Sequence, residues 1–139
     1  MYQSSVLPEI DFIFGGGILT IFAHGQTGSG KTHTIDELQN FLSVDLFRAA
    51  ELHHGDTGKN VGFTISYFEI VGSKIIDLLN NRKSLKVMES KKNKIEIPGL
   101  KEVAAQDMSE LSDLIQYGKS QRKTESTVSN STSSRSHAV

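Results

Sequence analysis

An apolar run, Ile18-Leu19-Thr20-Ile21-Phe22-Ala23, feeds directly into Gly25-Gln26-Thr27-Gly28-Ser29-Gly30-Lys31-Thr32. This junction constrains the fold more than any other stretch. Its second half reads Gly, four residues, Gly, Lys and a hydroxyl residue, and a helical pattern starts near Lys31. Glycines let a main chain curl until several N–H groups converge on one anion. A helix that begins there aims its positive end at the same point. The spacing therefore predicts a strand, a phosphate-binding loop and a helix. Lys31 is placed to reach β- and γ-phosphate oxygens, and the Thr32 hydroxyl to ligate Mg2+.

The rest of the composition narrows the class. With 139 residues, 37% hydrophobic and 22% charged, the chain is expected to form one soluble, globular domain. No apolar run has the length of a membrane span, and Met1 to Ile10 lacks the basic start and apolar core of a signal peptide. Cysteine is absent, which excludes disulfides and thiolate metal sites. His53-His54 are adjacent rather than at helical ligand spacing, so a histidine metal site is not expected. The formal charge of −1 is unevenly spread: residues 82–101 hold seven bases against two acids, between acidic stretches. Such a segment is a solvated face or a docking surface for an acidic partner.

In chain order, apolar positions 6, 7, 10, 13 and 14 predict a helix that Gly15-Gly16-Gly17 ends. Residues 18–24 read as a buried strand, and Lys31 to about His53 as a helix through Ile35, Leu38, Leu42 and Leu46. Gly55-Asp56-Thr57-Gly58 reads as a turn, Val61–Val71 as one long strand, and Ile75–Leu79 as a short turn or helix. Residues 85–89 and 94–97 alternate like a hairpin around Lys91-Lys92-Asn93. Asp107 and Glu110 resemble a helix start, with Met108, Leu111, Leu114 and Ile115 on one face and the helix fading near Arg122. The Ser/Thr-rich tail from Thr124 to Ser136 has the composition of a linker.

That tail carries a more specific signal. Asn130-Ser131-Thr132-Ser133-Ser134-Arg135-Ser136-His137 resembles the switch I signature of kinesin motor domains. Gly25–Thr32 with His33-Thr34 resembles the kinesin phosphate loop, and Tyr67-Phe68-Glu69-Ile70 through Asp77-Leu78-Leu79 a further kinesin motif. Arg122 and Thr124 stand where the family has its Asn-Arg and Thr before switch I. These motifs lie in the family's order along essentially the whole chain, 1–139. The resemblance implies an α/β P-loop NTPase fold: a partial kinesin-type motor with a mostly parallel central sheet flanked by helices, several strands missing.

It also implies roles. Gly25, Gln26, Thr27, Gly28, Ser29, Gly30, Lys31, Thr32 and His33 hold the phosphates of ATP, and Thr32 and Ser134 ligate Mg2+. Asn130 and Ser133 hold the γ-phosphate and the attacking water, while Arg135 pairs with a Glu of a second switch. Lys91, Lys92 and Lys94 sit in a loop that the family docks on the microtubule, where tubulin is acidic; a solvated turn is the plainer reading. Cytoplasmic, microtubule-associated localisation follows, with neither nucleic acid nor membrane as partner. Glu69 is expected to be a structural polar group in a strand rather than an acid catalyst.

Departures from the family pattern matter as well. His24 replaces the usual Tyr, and Ile35-Asp36-Glu37-Leu38 runs on helically where a Gly-bearing loop is usual. The second switch and the adenine-contact strand are not in these residues. A chain of these residues alone is expected to leave strands 18–24 and 61–71 short of neighbours, to fold poorly and to lack motor-like hydrolysis. The alternative to a motor fragment is a non-enzymatic remnant that binds nucleotide or tubulin weakly or not at all. A small GTPase is disfavoured, because no Asn-Lys-x-Asp occurs. Phe68-Glu69-Ile70-Val71-Gly72 and the switch wording lean towards the internal-motor, microtubule-depolymerising group.

Overall fold

The computed structural model describes residues 6–26, 29–58, 60–90, 93–126 and 136–139. They fall into two compact units, Met1–Gly62 and Phe63–Val139.

In the first unit a 3-10 turn, Leu7–Glu9, runs into helix α1 (Ile10–Phe14) and buries Val6 and Ile10. The main chain then folds back on itself: the N–H groups of Gly15, Gly16 and Gly17 donate to the carbonyls of Asp11, Ile13 and Phe12. The expected helix and its stop are both present. Helix α2 (Lys31–Thr57) is longer than its periodicity indicates. It buries Leu38 and half-buries Ile35, Leu42 and Leu46, while Phe41 stays exposed. The predicted turn at 55–58 is its last turn instead. Gly55 is carried inside the helix, at the usual cost of about 1 kcal/mol. The stop is Gly58, left-handed at φ 68°, with its N–H on the His54 carbonyl (2.7 Å). Phe14 and His53, whose ring centroids lie 5.6 Å apart, pack α1 against α2.

Residues 18–24 form no strand in the structure. Ile18 and Phe22 are 88% and 87% exposed, and among the described residues no strand pairs with this stretch. The sequence has the side chains of a buried strand, but a strand exists only through hydrogen bonds to a neighbour.

The second unit holds β1 (Phe63–Ile65), β2 (Phe68–Val71), β3 (Lys74–Asp77), β4 (Lys83–Leu85), β5 (Met88–Glu89), β6 (Ile95–Glu96), β7 (Val103–Ala105), helix α3 (Met108–Ser126) and β8 (Ser136–Ala138). Among the described residues every strand pairing is antiparallel: β1 with β7, β5 with β6, and a sheet in the order β4-β3-β2-β8. The mostly parallel central sheet implied by the resemblance is not what these residues form. Short turns, which can join only antiparallel neighbours, account for the β2–β3, β3–β4 and β5–β6 pairs.

The long strand predicted over 61–71 is two strands in different sheets. The break falls at Ser66-Tyr67, where the Tyr67 carbonyl accepts from the Leu78 N–H (2.9 Å). Residues 75–79, read as a turn or helix, instead supply most of β3, whose hairpin with β2 turns at Gly72-Ser73. The hairpin at 85–97 is present in shorter form, with Met88 opposite Glu96 and Glu89 opposite Ile95. β8 pairs with β2, and Phe68 and Val139 exchange both backbone hydrogen bonds (2.9 and 2.8 Å), so β2 has the neighbour that the sequence reading denied it.

Tyr67, Leu78 and Leu79 make the core of this unit, with Ile65, Ile76 and Val103 packed on them. Asp77 is fully buried at its edge: Oδ1 accepts from Leu79 N–H (3.0 Å) and Oδ2 from Lys101 N–H (2.8 Å). Helix α3 starts as expected, Asp107 Oδ1 accepting from Glu110 N–H (2.8 Å) and Glu110 Oε2 from Gln106 N–H (2.9 Å). It buries Leu111, half-buries Leu114 and Ile115, leaves Met108 exposed, and continues past Arg122 to Ser126.

Gly118 sits inside α3 because Tyr67 leaves it no room for a side chain. A Cβ there would lie 2.1 Å from Tyr67 Cδ1 and 2.7 Å from Cε1. Gly118→Ala gains about 1 kcal/mol of helix propensity but forces the ring out of its place, an overpacking cost of about 1–3 kcal/mol. The expected net result is a lower denaturation midpoint. A midpoint at or above wild type would show that Tyr67 moves aside freely.

Candidate functional site

Of the loop before α2, the structure describes Gly25, Gln26, Ser29 and Gly30. Gly30 takes φ +84°, a left-handed conformation that other residues rarely adopt, and serves as the N-cap of α2. Ser29 N–H donates to the Gln26 carbonyl (3.1 Å) and Thr34 N–H to the Gly30 carbonyl (3.0 Å), closing the turn. At Gly25 a Cβ would come within 2.7 Å of Ser29 Oγ, so the chain passes its neighbour closely. No side chain caps the N-terminus of α2, and no acid lies in its first turn. The positive end of a 27-residue helix is thus left to an anion.

Lys31 rises from the first position of α2 and folds over the loop. Its Nζ donates to the carbonyls of Gly25 (2.7 Å) and Gln26 (2.6 Å). The ammonium is thereby held against the main chain of Gly25 and Gln26. His33 points elsewhere, to Glu37 Oε2 at 3.7 Å, with both side chains mostly exposed. Thr32 is exposed beside Lys31. The donor set fits a phosphate chain carrying a hard cation: backbone N–H groups and an ammonium for the oxygens, and a hydroxyl for Mg2+. Among the described residues no cluster of three or more His, Cys, Asp or Glu side chains offers an alternative metal site, and no helix is long and apolar enough to cross a membrane.

Several expected site residues lie outside the described residues: Thr27 and Gly28 of the loop, Lys91 and Lys92 of the hairpin, and Asn130, Ser133, Ser134 and Arg135 of the Ser/Thr-rich segment. Lys94 is described and exposed. Its N–H donates to Ser90 Oγ (3.3 Å), and its carbonyl accepts from Ser90 N–H (2.8 Å) next to the left-handed Asn93.

One constellation was not assembled by sequence reasoning. Glu69, 4% exposed in β2, receives Arg122 of α3 on Oε1 (Nε, 3.2 Å) and lies 3.7 Å from Arg82 through Oε2. Arg122 also donates to the Ser136 carbonyl (3.4 Å), and Arg82 to the Gln121 carbonyl (2.9 Å). Glu69 lies in a strand, as expected of a structural polar group; the structure adds that it is buried, and its two basic partners explain how the charge is tolerated. Arg82 and Asn81 are both left-handed (φ 60° and 50°), and Asn81 Oδ1 accepts from the Tyr117 hydroxyl (2.9 Å). Nothing in a linear sequence brings residues 69, 82 and 122 together.

Comparison with known proteins identifies the family. The chain matches the kinesin motor domain family over residues 1–139. It is 42% identical over 141 residues to Kinesin-like protein KIN-13B of Arabidopsis thaliana, covering 100% of this chain and 20% of that protein. Kinesin-like protein KIN-13A of Oryza sativa subsp. japonica is 40% identical over 141 residues (100% and 17% covered). Diatom spindle kinesin-1 of Cylindrotheca fusiformis is 35% identical over 140 residues (100% and 22% covered). The chain thus spans about a fifth of the length of these relatives. A family match running from the first residue to the last places the chain in the kinesin motor domain family.

Proposed function

We propose that the chain is the nucleotide-binding portion of a microtubule motor, holding Mg·ATP on Gly25–His33 and serving its hydrolysis in the full-length protein. The observation that carries this reading is the loop itself: Gly30 left-handed, α2 uncapped, and Lys31 Nζ poised on the Gly25 and Gln26 carbonyls. Bound Mg2+ would neutralise charge on the phosphate oxygens. The chain's own residues have to bind and orient: loop N–H groups and Lys31 hold the phosphates, and Thr32 the cation, with Ser134 joining it. Asn130, Ser133 and Arg135 are assigned to the γ-phosphate and water side by their places in the signature. Phosphoryl transfer needs positioning and charge neutralisation rather than a strong base, and these residue types provide that. The test is phosphate release by the full-length protein with and without microtubules: stimulated release in the wild type, lost in Lys31→Ala, is expected. Equal release by both would reject the assignment.

The same reading covers the finer fold, partner and place in the cell. In the full-length protein residues 18–24 would enter a mostly parallel central sheet once strands outside this chain pair with them, a role supported by their apolar composition. The microtubule is the partner and the cytoskeleton the location. The KIN-13 names of two relatives support the internal-motor, depolymerising group. A second reading, the non-enzymatic remnant, is favoured by one observation: among the described residues, nothing pairs with 18–24.

Contact of the β5–β6 hairpin with acidic tubulin would be electrostatic and salt-sensitive. Replacing Lys91, Lys92 and Lys94 with Glu is expected to weaken co-sedimentation with microtubules at least ~10-fold at low salt, and less at moderate salt. Unchanged binding would leave the hairpin a solvated turn.

A further inference from the structure

The Glu69–Arg122–Arg82 constellation is more than a neutralised charge. A buried ion pair is weak support for stability, because apolar residues of similar volume often serve as well. Its placement is specific. Arg122 lies in the last turns of α3, five residues before the 127–135 segment; Ser136, whose carbonyl it holds, is the first residue after that segment. One guanidinium therefore grips β2 through Glu69 and the start of β8 through Ser136, while Arg82 holds the other carboxylate oxygen and the Gln121 carbonyl of α3. Three elements that diverge in sequence are pinned at one point.

We propose that Arg122, oriented by Glu69 and Arg82, is a positioning residue that fixes the spacing between the end of α3 and the start of β8. It thereby sets the frame on which the segment bearing Asn130, Ser133, Ser134 and Arg135 is mounted. Arg122 acts through that frame and is not assigned a contact with nucleotide. The inference rests on the nucleotide reading above for its effect on turnover, but not for its effect on β8. A planar guanidinium can serve two acceptors in different directions at once. Lysine keeps the charge but not the fixed planar fork, and glutamine carries no charge to hold Glu69.

In the full-length protein, Arg122→Gln is expected to lower kcat for Mg·ATP at least ~10-fold, the loss of about one charge-assisted hydrogen bond, with KM within ~2-fold. Arg122→Lys should recover part of kcat, since it keeps the charge beside Glu69. Hydrogen exchange of the Val139 N–H, which is bonded to Phe68 in β2, should accelerate in Arg122→Gln. Amides of the β1–β7 sheet, a separate pairing, should keep their wild-type rates. Unchanged kcat, a Lys variant no better than Gln, or equal acceleration in both sheets would each overturn the proposal. If Arg122→Gln fails to fold, the double variant Glu69→Gln/Arg122→Gln, which leaves no unpaired carboxylate, decides it: low kcat with a folded chain supports the clamp, and wild-type kcat rejects it. A wild type that neither binds nor turns over ATP defeats the nucleotide reading instead, and Val139 exchange alone then tells whether the clamp exists.

Discussion

Asp77→Ala is expected to destabilise the second unit by about 3–5 kcal/mol, a large part of the about 5–15 kcal/mol that holds a domain together. The carboxylate is completely buried and is saturated by two backbone donors, Leu79 N–H at 3.0 Å and Lys101 N–H at 2.8 Å. It ties the turn after β3 to the stretch leading into β7, 24 residues away. Alanine would leave the Leu79 N–H buried and the Lys101 N–H part-buried without their partner, at up to about 1–3 kcal/mol each, and would open a small void beside Leu78 and Leu79. Relief of the carboxylate's own desolvation offsets part of this, which is why the upper bound is not higher. Asp77→Asn should cost less, since one amide oxygen can still accept one of the two bonds. Denaturant unfolding followed by circular dichroism checks the ranking. A loss below about 0.5 kcal/mol for the alanine variant would mean that water or a neighbouring group takes over both donors.

How much of this was legible in the sequence depends on how local the cause is. Helices α1, α2 and α3 were visible because their periodicity and caps lie within a few residues of each other, as with Asp107 and Glu110. Their ends were less visible: Gly55 and Gly58 offer the same stop signal, and only the structure shows the helix using the second. Strands were harder. Val61–Val71 reads as one β-forming run, yet the Tyr67 carbonyl is diverted to Leu78 and the two halves join different sheets. Residues 18–24 show the opposite limit, since side chains suited to a strand do not supply its hydrogen-bonding neighbour.

The site divides along the same line. The helix start at Lys31 and the left-handed Gly30 before it were legible because glycine position and the following helix are local. The tertiary constraints were not. Gly118 has no sequence signature beyond being a glycine in a helix, and its cause is Tyr67, 51 residues earlier in number but in contact in space. Glu69 was expected to be a structural polar group in a strand, but its burial and the grip of Arg82 and Arg122 on it required the fold.

The measurement that bears most directly on the central claim is the affinity of Mg·ATP for the wild type and for Lys31→Ala, by calorimetry on the full-length protein. The Lys31 ammonium is already held by the Gly25 and Gln26 carbonyls, so little conformational entropy remains to be lost when phosphate arrives. It gives up or shares those bonds and gains charge-assisted ones to the phosphate oxygens, each worth about 1.5–3 kcal/mol. Alanine forfeits that gain and leaves the loop N–H groups and the helix end as the only positive partners. The expected result is measurable wild-type affinity and a loss of at least ~100-fold in the variant, equivalent to about 2.7 kcal/mol. Equal, measurable affinities for the two proteins would contradict the assignment of Gly25–His33 as the nucleotide site.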